Sequence, residues 1–400
     1  MKKLYYFILL CLPFTVSAQA TITSTQNGNA SSLFTWDCLC FPSTDDHIII
    51  NHNVNMDVDW LINSGGSITV NTSGSLIQSG THSLAIDGAN SELMVSGTFK
   101  MENVSVTNSA SVETSASGTI RINKGLYVGN TGTYLNAGNT LDVDSILTEG
   151  TFQQNGLLMA GDVLNTGDFI LAGGMIADSV GNTGDMTFTS GYTFATAFGT
   201  SGTANLSAGF IHTDGNMYNT GDFTTSSGTL LECAGSFYSG DTINGTALLN
   251  MNGLLTVAAD LYFSEDVEGG GDICVNGDSY NAADVTGTLD ICDGTATMNG
   301  FDLNIGTVAG TITFCTPGCS VGLKEEVINW NVIPNPASDY VKLIGIDNVQ
   351  FVQVIDLSGS IAAEISVVNN RFDVSQLQSG AYFVIPVGAV YALPMRLIVE

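Results

Sequence analysis

From residue 130 the chain repeats itself. The segments NTGT (130), TEGT (148), NTGD (165), NTGD (182), TSGT (200), NTGD (219) and YSGD (238) follow one another at steps of 18, 17, 17, 18, 19 and 19 residues. Each carries glycine at its third position: Gly132, Gly150, Gly167, Gly184, Gly202, Gly221 and Gly240. A second glycine follows five to seven residues later, at Gly138, Gly156, Gly173, Gly191, Gly209, Gly228 and Gly245. Between the two lie short alternating stretches such as TYLNA, DFILA and DMTFTS. The period is too short for helical pairs or a propeller blade, and the 3.6-residue spacing of an amphipathic helix is missing. It reads as a strand of about five residues between turns where glycine supplies a positive φ. Three such strands per turn make a right-handed parallel β-helix, with rungs of about 18 residues stacked about 4.8 Å apart. Looser versions upstream, SGTFKM (96) and SGTIRI (117), extend the coil toward the N-terminus. Residues 21–321 are therefore predicted to form some sixteen rungs, a rod on the order of 80 Å. The competing architecture is an array of antiparallel β-sandwiches.

Charge narrows the partners. Residues 21–321 hold 30 Asp plus Glu against three basic residues, Lys100, Arg121 and Lys124, a net of −27. Phosphate backbones and anionic membrane surfaces are repelled by such a body, so no nucleic-acid partner is expected. The first twenty residues, MKKLYYFILLCLPFTVSAQA, have the charged start, apolar run and small-residue end of a secretory signal. That apolar run is too short to span a membrane, and no later stretch is long enough, so the mature chain is expected to be exported and not membrane-spanning.

Without Cys11, seven cysteines remain: Cys38, Cys40, Cys233, Cys274, Cys292, Cys315 and Cys319. Export permits disulfides. The expected pairs are Cys274–Cys292 and Cys315–Cys319, each flanking a short segment. Cys38 and Cys40 would lie nearly 7 Å apart in an extended strand, too far for an easy bridge. Odd parity leaves a free thiol or an intermolecular bond, and no spacing suggests zinc. Open rung ends need covering. The segment 34–60, with a Trp, a Pro and Asp residues before an apolar strand, is the expected cap, loosely resembling the entry segment of other secreted β-helix proteins. The cysteine-bearing stretch 271–319 is expected to close the far end.

The last 70 residues break the pattern. VIPNPASDYVKL (332–343), VQVIDLSGS (352–360), FDVSQLQSGAYFV (372–384) and MRLIVE (395–400) follow in order, with turn signals between alternating strands and no 18-residue period. In this order they resemble the type A C-terminal sorting domain of the type IX secretion system of Bacteroidota. The matching positions are Pro334, Asn335, Pro336, Asp356, Gly359, Leu377, Gly380, Tyr382 and Arg396. Ser360 stands where family members often carry lysine, and Arg396 replaces a usual terminal lysine while keeping its charge. The pattern is consistent with a small seven-stranded, Ig-like sandwich over 332–400, preceded by a linker at 322–331. The resemblance implies passage from the periplasm across the outer membrane by the type IX machinery. It also implies removal of the domain by a sortase-like peptidase, with the body anchored at the surface or released.

Chemistry in the body is harder to find. A lyase needs a base and cations to neutralise a uronate; Arg121 and Lys124 share one rung in TIRINKG and read as solvated charges. A glycosidase needs two carboxylates about 5 to 9.5 Å apart, and pairs such as Asp142 with Asp144 or Asp284 with Asp290 have no discriminating context. His47 and His52 read as structural residues on opposite faces of one strand. In register, Asp168 would stack on Asp185, and Asp222 on Asp241. The plain reading of these aspartates is a local turn; the sharper one is calcium bridging neighbouring rungs. The expected function is a secreted or surface-displayed structural or adhesin-type rod with a glycan or surface ligand, the alternative being a polysaccharide-degrading enzyme that uses Asp/Glu carboxylates.

Overall fold

The computed structural model describes residues 19–240, 247–296, 300–315, 330–346, 349, 351–356, 361–387 and 395–399. Residues 1–18, most of the expected linker, Asp241, Cys319 and Gly359 lie outside these. Apart from one 3-10 turn at Leu33–Thr35, every named element is a β-strand. Up to residue 308 all ladders are parallel and each joins a strand to its counterpart one turn later. The body is a parallel β-solenoid.

One turn shows how the sequence builds it. Asp168–Leu171 lies on the first face and alternates outward and inward, placing Phe169 and Leu171 in the core. The chain turns at 172–174 and enters Met175–Asn182, which bends near Asp178, where the ladder to the preceding turn skips a residue. Its two halves supply the second and third faces. Thr183 and Gly184 then lead into Asp185–Phe188, directly beneath Asp168–Leu171. Fifteen described strands stack on the first face, from Thr21–Thr23 to Thr307–Val308, a rod of about 70 Å. Most inward positions are apolar and buried, each large side chain contributing roughly 1.5–3 kcal/mol. Inside, the rings of Tyr134, Phe152 and Phe169 stack at 5.2 and 4.7 Å.

The repeat glycines act differently from expectation. Among Gly132, Gly150, Gly167, Gly184, Gly202, Gly221 and Gly240, a positive φ is found at Gly240 alone. The others sit where one turn's backbone nearly touches the next: a Cβ on Gly202 would lie 2.2 Å from the Gly184 carbonyl oxygen. That oxygen is already accepting the Thr203 N–H at 2.9 Å, so it cannot retreat without breaking the ladder. Positive φ belongs to part of the second set, as at Gly191 (φ 83°).

The first residue of each of the three NTGD segments turns inward, whereas Asn130 of NTGT is exposed. Asn165 donates to Asn182 at 2.7 Å, and Asn182 to Thr200 Oγ1 at 3.0 Å; Asn219 donates to Ser239 Oγ at 3.2 Å. Asn165 also binds the Gly167 backbone through both its amide oxygen and nitrogen, Asn219 accepts the Gly221 N–H, and Asn182 donates to the Thr203 carbonyl one turn on. Buried polar groups at this corner are thus satisfied by side-chain amides.

At the N-terminal end the first stacked strand is Thr21–Thr23, ahead of the expected cap, and it pairs with His47–Ile50. Within the cap segment Trp36 is buried, donates to the Ala30 carbonyl at 3.0 Å and lies 6.0 Å from Trp60. His47 and His52 do not share a strand, since that strand ends at Ile50. Each is held locally, His47 by Ser67 Oγ at 2.9 Å and His52 by the Ser24 carbonyl at 2.8 Å.

The disulfides correct the expected pairing. Cys38 and Cys40 are bonded, with Cα atoms 5.1 Å apart. Leu39 between them has a φ of 52°, so the chain doubles back and is not extended. Cys292 pairs with Cys315, not Cys274. Cys274 and Cys292 are in register on successive turns, and the Asp290–Thr313 bridge places Cys315 one turn further on. Sequence separation does not reveal that Cys315 lies on the turn next to Cys292; the stacking brings it there. Cys274 is disulfide-bonded elsewhere. Cys233 is a free, buried thiol.

Residues 330–399 form a separate antiparallel unit. One sheet holds Asn331–Ile333, Tyr340–Ile344 and Arg371–Asp373; the other holds Ile361–Ser366, Phe351–Asp356, Gly380–Val387 and Met395–Val399. Val332, Val341, Val352, Val354, Phe372, Val384 and Leu397 from both sheets share one core. Three strands facing four is a seven-stranded sandwich.

Candidate functional site

The third face of the solenoid carries a column of outward side chains, one per turn. In register it reads Ser105, Tyr127, Leu147, Leu164, Gly181, Gly199, Tyr218, Tyr238, Tyr262, Tyr280 and Leu303. The four consecutive tyrosines stack with ring centroids 5.0, 4.7 and 4.8 Å apart and planes within 6–8° of parallel. Their spacing is that of the rungs, so the backbone sets the stack.

For three of the four tyrosines a polar partner lies two residues earlier, just before the strand. Asn216 donates to the Tyr218 hydroxyl at 3.0 Å; Tyr262 and Tyr280 donate to Asp260 and Asp278, each at 3.3 Å. Burial and then the Asp260 charge push the Tyr262 pKa up, while for Tyr280 the Asp278 charge leads. Both phenols therefore stay protonated and able to donate.

Two grooves border this column. The lower one, about 320 Å3, is lined by Tyr238, Tyr262, Tyr280, Leu303 and Ile305 with Ser239, Ser264 and Asn281. The upper one, about 460 Å3, is lined by Tyr127, Leu147 and Leu164 together with Asn103, Ser145 and Asp162. Leu303 and Ile305 are 50% and 75% exposed, an apolar edge open to solvent.

The residues singled out from sequence fall elsewhere. Asp168 lies over Asp185 as expected. In the ladder Asp222 stands between Thr203 and Leu248, and Asp241, expected to stack on it, lies outside the described residues. Among the described residues no group of three or more His, Cys, Asp or Glu side chains is placed to hold a metal ion. Arg121 pairs with Asp142 at 3.3 Å and Lys124 with Glu102 at 2.9 Å, both joining successive turns. Asp284 and Asp290 stand on different faces and bond Thr307 and Thr313. The tyrosine column was missed because its steps, 20, 24 and 18 residues, drift out of the repeat. The available signal was a tyrosine shortly before each turn, in MYN, FYS, LYF and SYN.

In the C-terminal unit the motif residues have structural tasks. Asn335, between the two prolines, donates to the Arg396 carbonyl at 2.7 Å and accepts the Ile398 N–H at 2.8 Å. The opening segment is thereby tied to the last strand, where Ala337 also donates to Ile398. Gly380 pairs with Val399 and Tyr382 with Asp356. The Tyr382 hydroxyl donates back to the Gln378 carbonyl at 2.8 Å, while Leu377 packs against the core and Arg396 points out to solvent. Residues 331–400 match the family described as Secretion system C-terminal sorting domain.

This unit is a sorting domain.

The sorting domain is of the type IX secretion kind, and it marks the solenoid ahead of it as cargo exported to the cell surface or beyond. No curated protein and no solved structure matches the chain. Among the described residues no helix is long and apolar enough to cross a membrane.

Proposed function

We propose that this chain is an exported, non-enzymatic rod of adhesin type that meets its ligand along the tyrosine column of the third face. The observation that carries this reading is the column itself, four stacked phenols, three with hydrogen-bonded hydroxyls, beside an apolar groove. An exposed aromatic stripe of this length is a recognised mark of an interaction surface. The route follows from the two ends of the chain. The N-terminal twenty residues direct Sec export, the sorting domain engages the type IX machinery, and a sortase-like peptidase removes it, leaving the body anchored or released.

The test uses the purified full chain on gels and beads carrying a panel of plant, algal and bacterial polysaccharides. Retention without release of sugar ends is the expected result, and Tyr262→Ala with Tyr280→Ala abolishes it while leaving the melting transition cooperative. Release of reducing or unsaturated ends from any polymer would instead make the protein an enzyme.

A further inference from the structure

Two glycines interrupt the outward column where the backbone does not ask for glycine. Gly181 and Gly199 lie inside the strands Met175–Asn182 and Tyr192–Thr200, in register, with Leu164 above and Tyr218 below. Neither has a φ in the left-handed region. A Cβ on Gly199 would meet nothing within 4 Å, and one on Gly181 would make ordinary contacts with the Leu164 Cδ1 at 3.4 Å and the Val163 carbonyl oxygen at 4.0 Å. The contrast with Gly202, whose Cβ would strike the backbone, is complete. Glycine within a strand weakens it and marks places where a ligand comes close. Here it provides open space.

That space ends on an aromatic face. Parallel rings with centroids 4.7–5.0 Å apart cannot lie side by side in one plane, because a phenol is wider than that, so the four tyrosines overlap face to face. Tyr238 and Tyr262 have both faces covered by their neighbours. Tyr280 has Leu303 on the next turn. Tyr218 has two glycines above it before Leu164, and both Tyr218 and Leu164 are 45% exposed. The gap spans three rung steps, roughly 14 Å from Leu164 to Tyr218.

We propose that this notch is a sugar subsite, in which a pyranose ring of a neutral polysaccharide stacks on the upper face of Tyr218 above Gly199. The inference rests on the tyrosine column being the ligand-contact surface and names its ligand class. The negative ring face attracts the C–H-bearing face of a pyranose. Hydroxyl partners are already placed at the rim: Asn216 beside the Tyr218 hydroxyl, and Ser179 bonded to Asp162 at 2.5 Å. Both grooves abut the same column on either side of the notch, so a chain seated there has a continuous track. Charge selects against the other large polymer class. The body carries −27, and Asp260 and Asp278 stand beside the tyrosines. Uronates and sulfated sugars would meet like charge at close range.

The experiment measures retention of the full chain in gels containing neutral polymers (a β-glucan, a xylan, a mannan) or anionic ones (alginate, a sulfated galactan). Gly199→Leu, which fills the notch and continues the Leu147–Leu164 column, is expected to weaken neutral-polymer binding about tenfold while the melting temperature holds or rises. Tyr218→Leu, which removes the ring face without filling the gap, gives the same loss and serves if Gly199→Leu fails to fold. If both variants bind like the wild type while Tyr262→Ala with Tyr280→Ala does not bind, the subsite is wrong and the column reading stands. If none of the variants changes retention, both are wrong. Preferential retention of an anionic polymer, or of no neutral polymer, overturns the ligand class.

Discussion

Tyr134 is fully buried, stacked on Phe152, and its hydroxyl has no hydrogen-bond partner. Burial pushes its pKa well up, and the same desolvation weighs against the folded state. Tyr134→Phe keeps the ring and removes the orphan group, so it is expected to stabilise the protein by about 1 kcal/mol, read as a higher denaturant midpoint at unchanged slope. His212 shows the opposite economy of charge. Its Nδ1 lies 2.8 Å from Glu232 and its Nε2 3.1 Å from Asp214. Carboxylates only accept, so both nitrogens must donate and the ring is an imidazolium. Burial pulls its pKa down, but the hydrogen bonds and charges of Glu232 and then Asp214 outweigh it and leave the value raised. A raised folded pKa stabilises fully below the unfolded value, near pH 6.5, and the gain is lost as pH rises through the folded value. Melting temperature is therefore expected to fall across that window in the wild type, with His212→Gln giving a flatter profile; equal slopes would refute the clamp.

At the scale of the element, the stacked turn is the unit of stability. The repeat was legible because glycine recurs wherever backbones close on one another, and that steric demand leaves a periodic trace. The role of the asparagine in NTGD was not legible, since a turn residue and an inward ladder residue look alike in one dimension. Asn182→Ala leaves Asn165 and Thr200 short of a buried partner and is expected to cost about 1–3 kcal/mol. Urea melts of Asn182→Ala beside the outward-facing, half-buried control Asn205→Ala would measure this, and equal midpoints would show that the ladder does not stabilise the fold. The third-face tyrosines escaped sequence reading for a related reason. Insertions between turns shift them out of the period, yet the ladder brings them back into register because only the strands have to match.

For the whole molecule, two units divide the labour. The solenoid buries a continuous core and presents long flat faces; the sorting domain closes a small core of its own around Val332, Val352 and Leu397. Asn335 is the side chain that ties the motif to the terminal strand of the sorting domain. Asn335→Ala is expected to leave solenoid folding intact and to trap the chain in the periplasm of the producing cell. Fractionation of surface and periplasmic pools checks this, and normal surface display would show that the tether is dispensable.

The sequence by itself determined the strand class, the stacking period, the acidic character and the export address, because each leaves a local or periodic record in residue type. Tertiary structure decided which cysteines meet, which aspartates stack and which side chains line one face. Those depend on the register between turns, and register is fixed by hydrogen-bonded ladders that tolerate loops of unequal length. The tyrosine column and the empty place above Tyr218 exist only once that register is set.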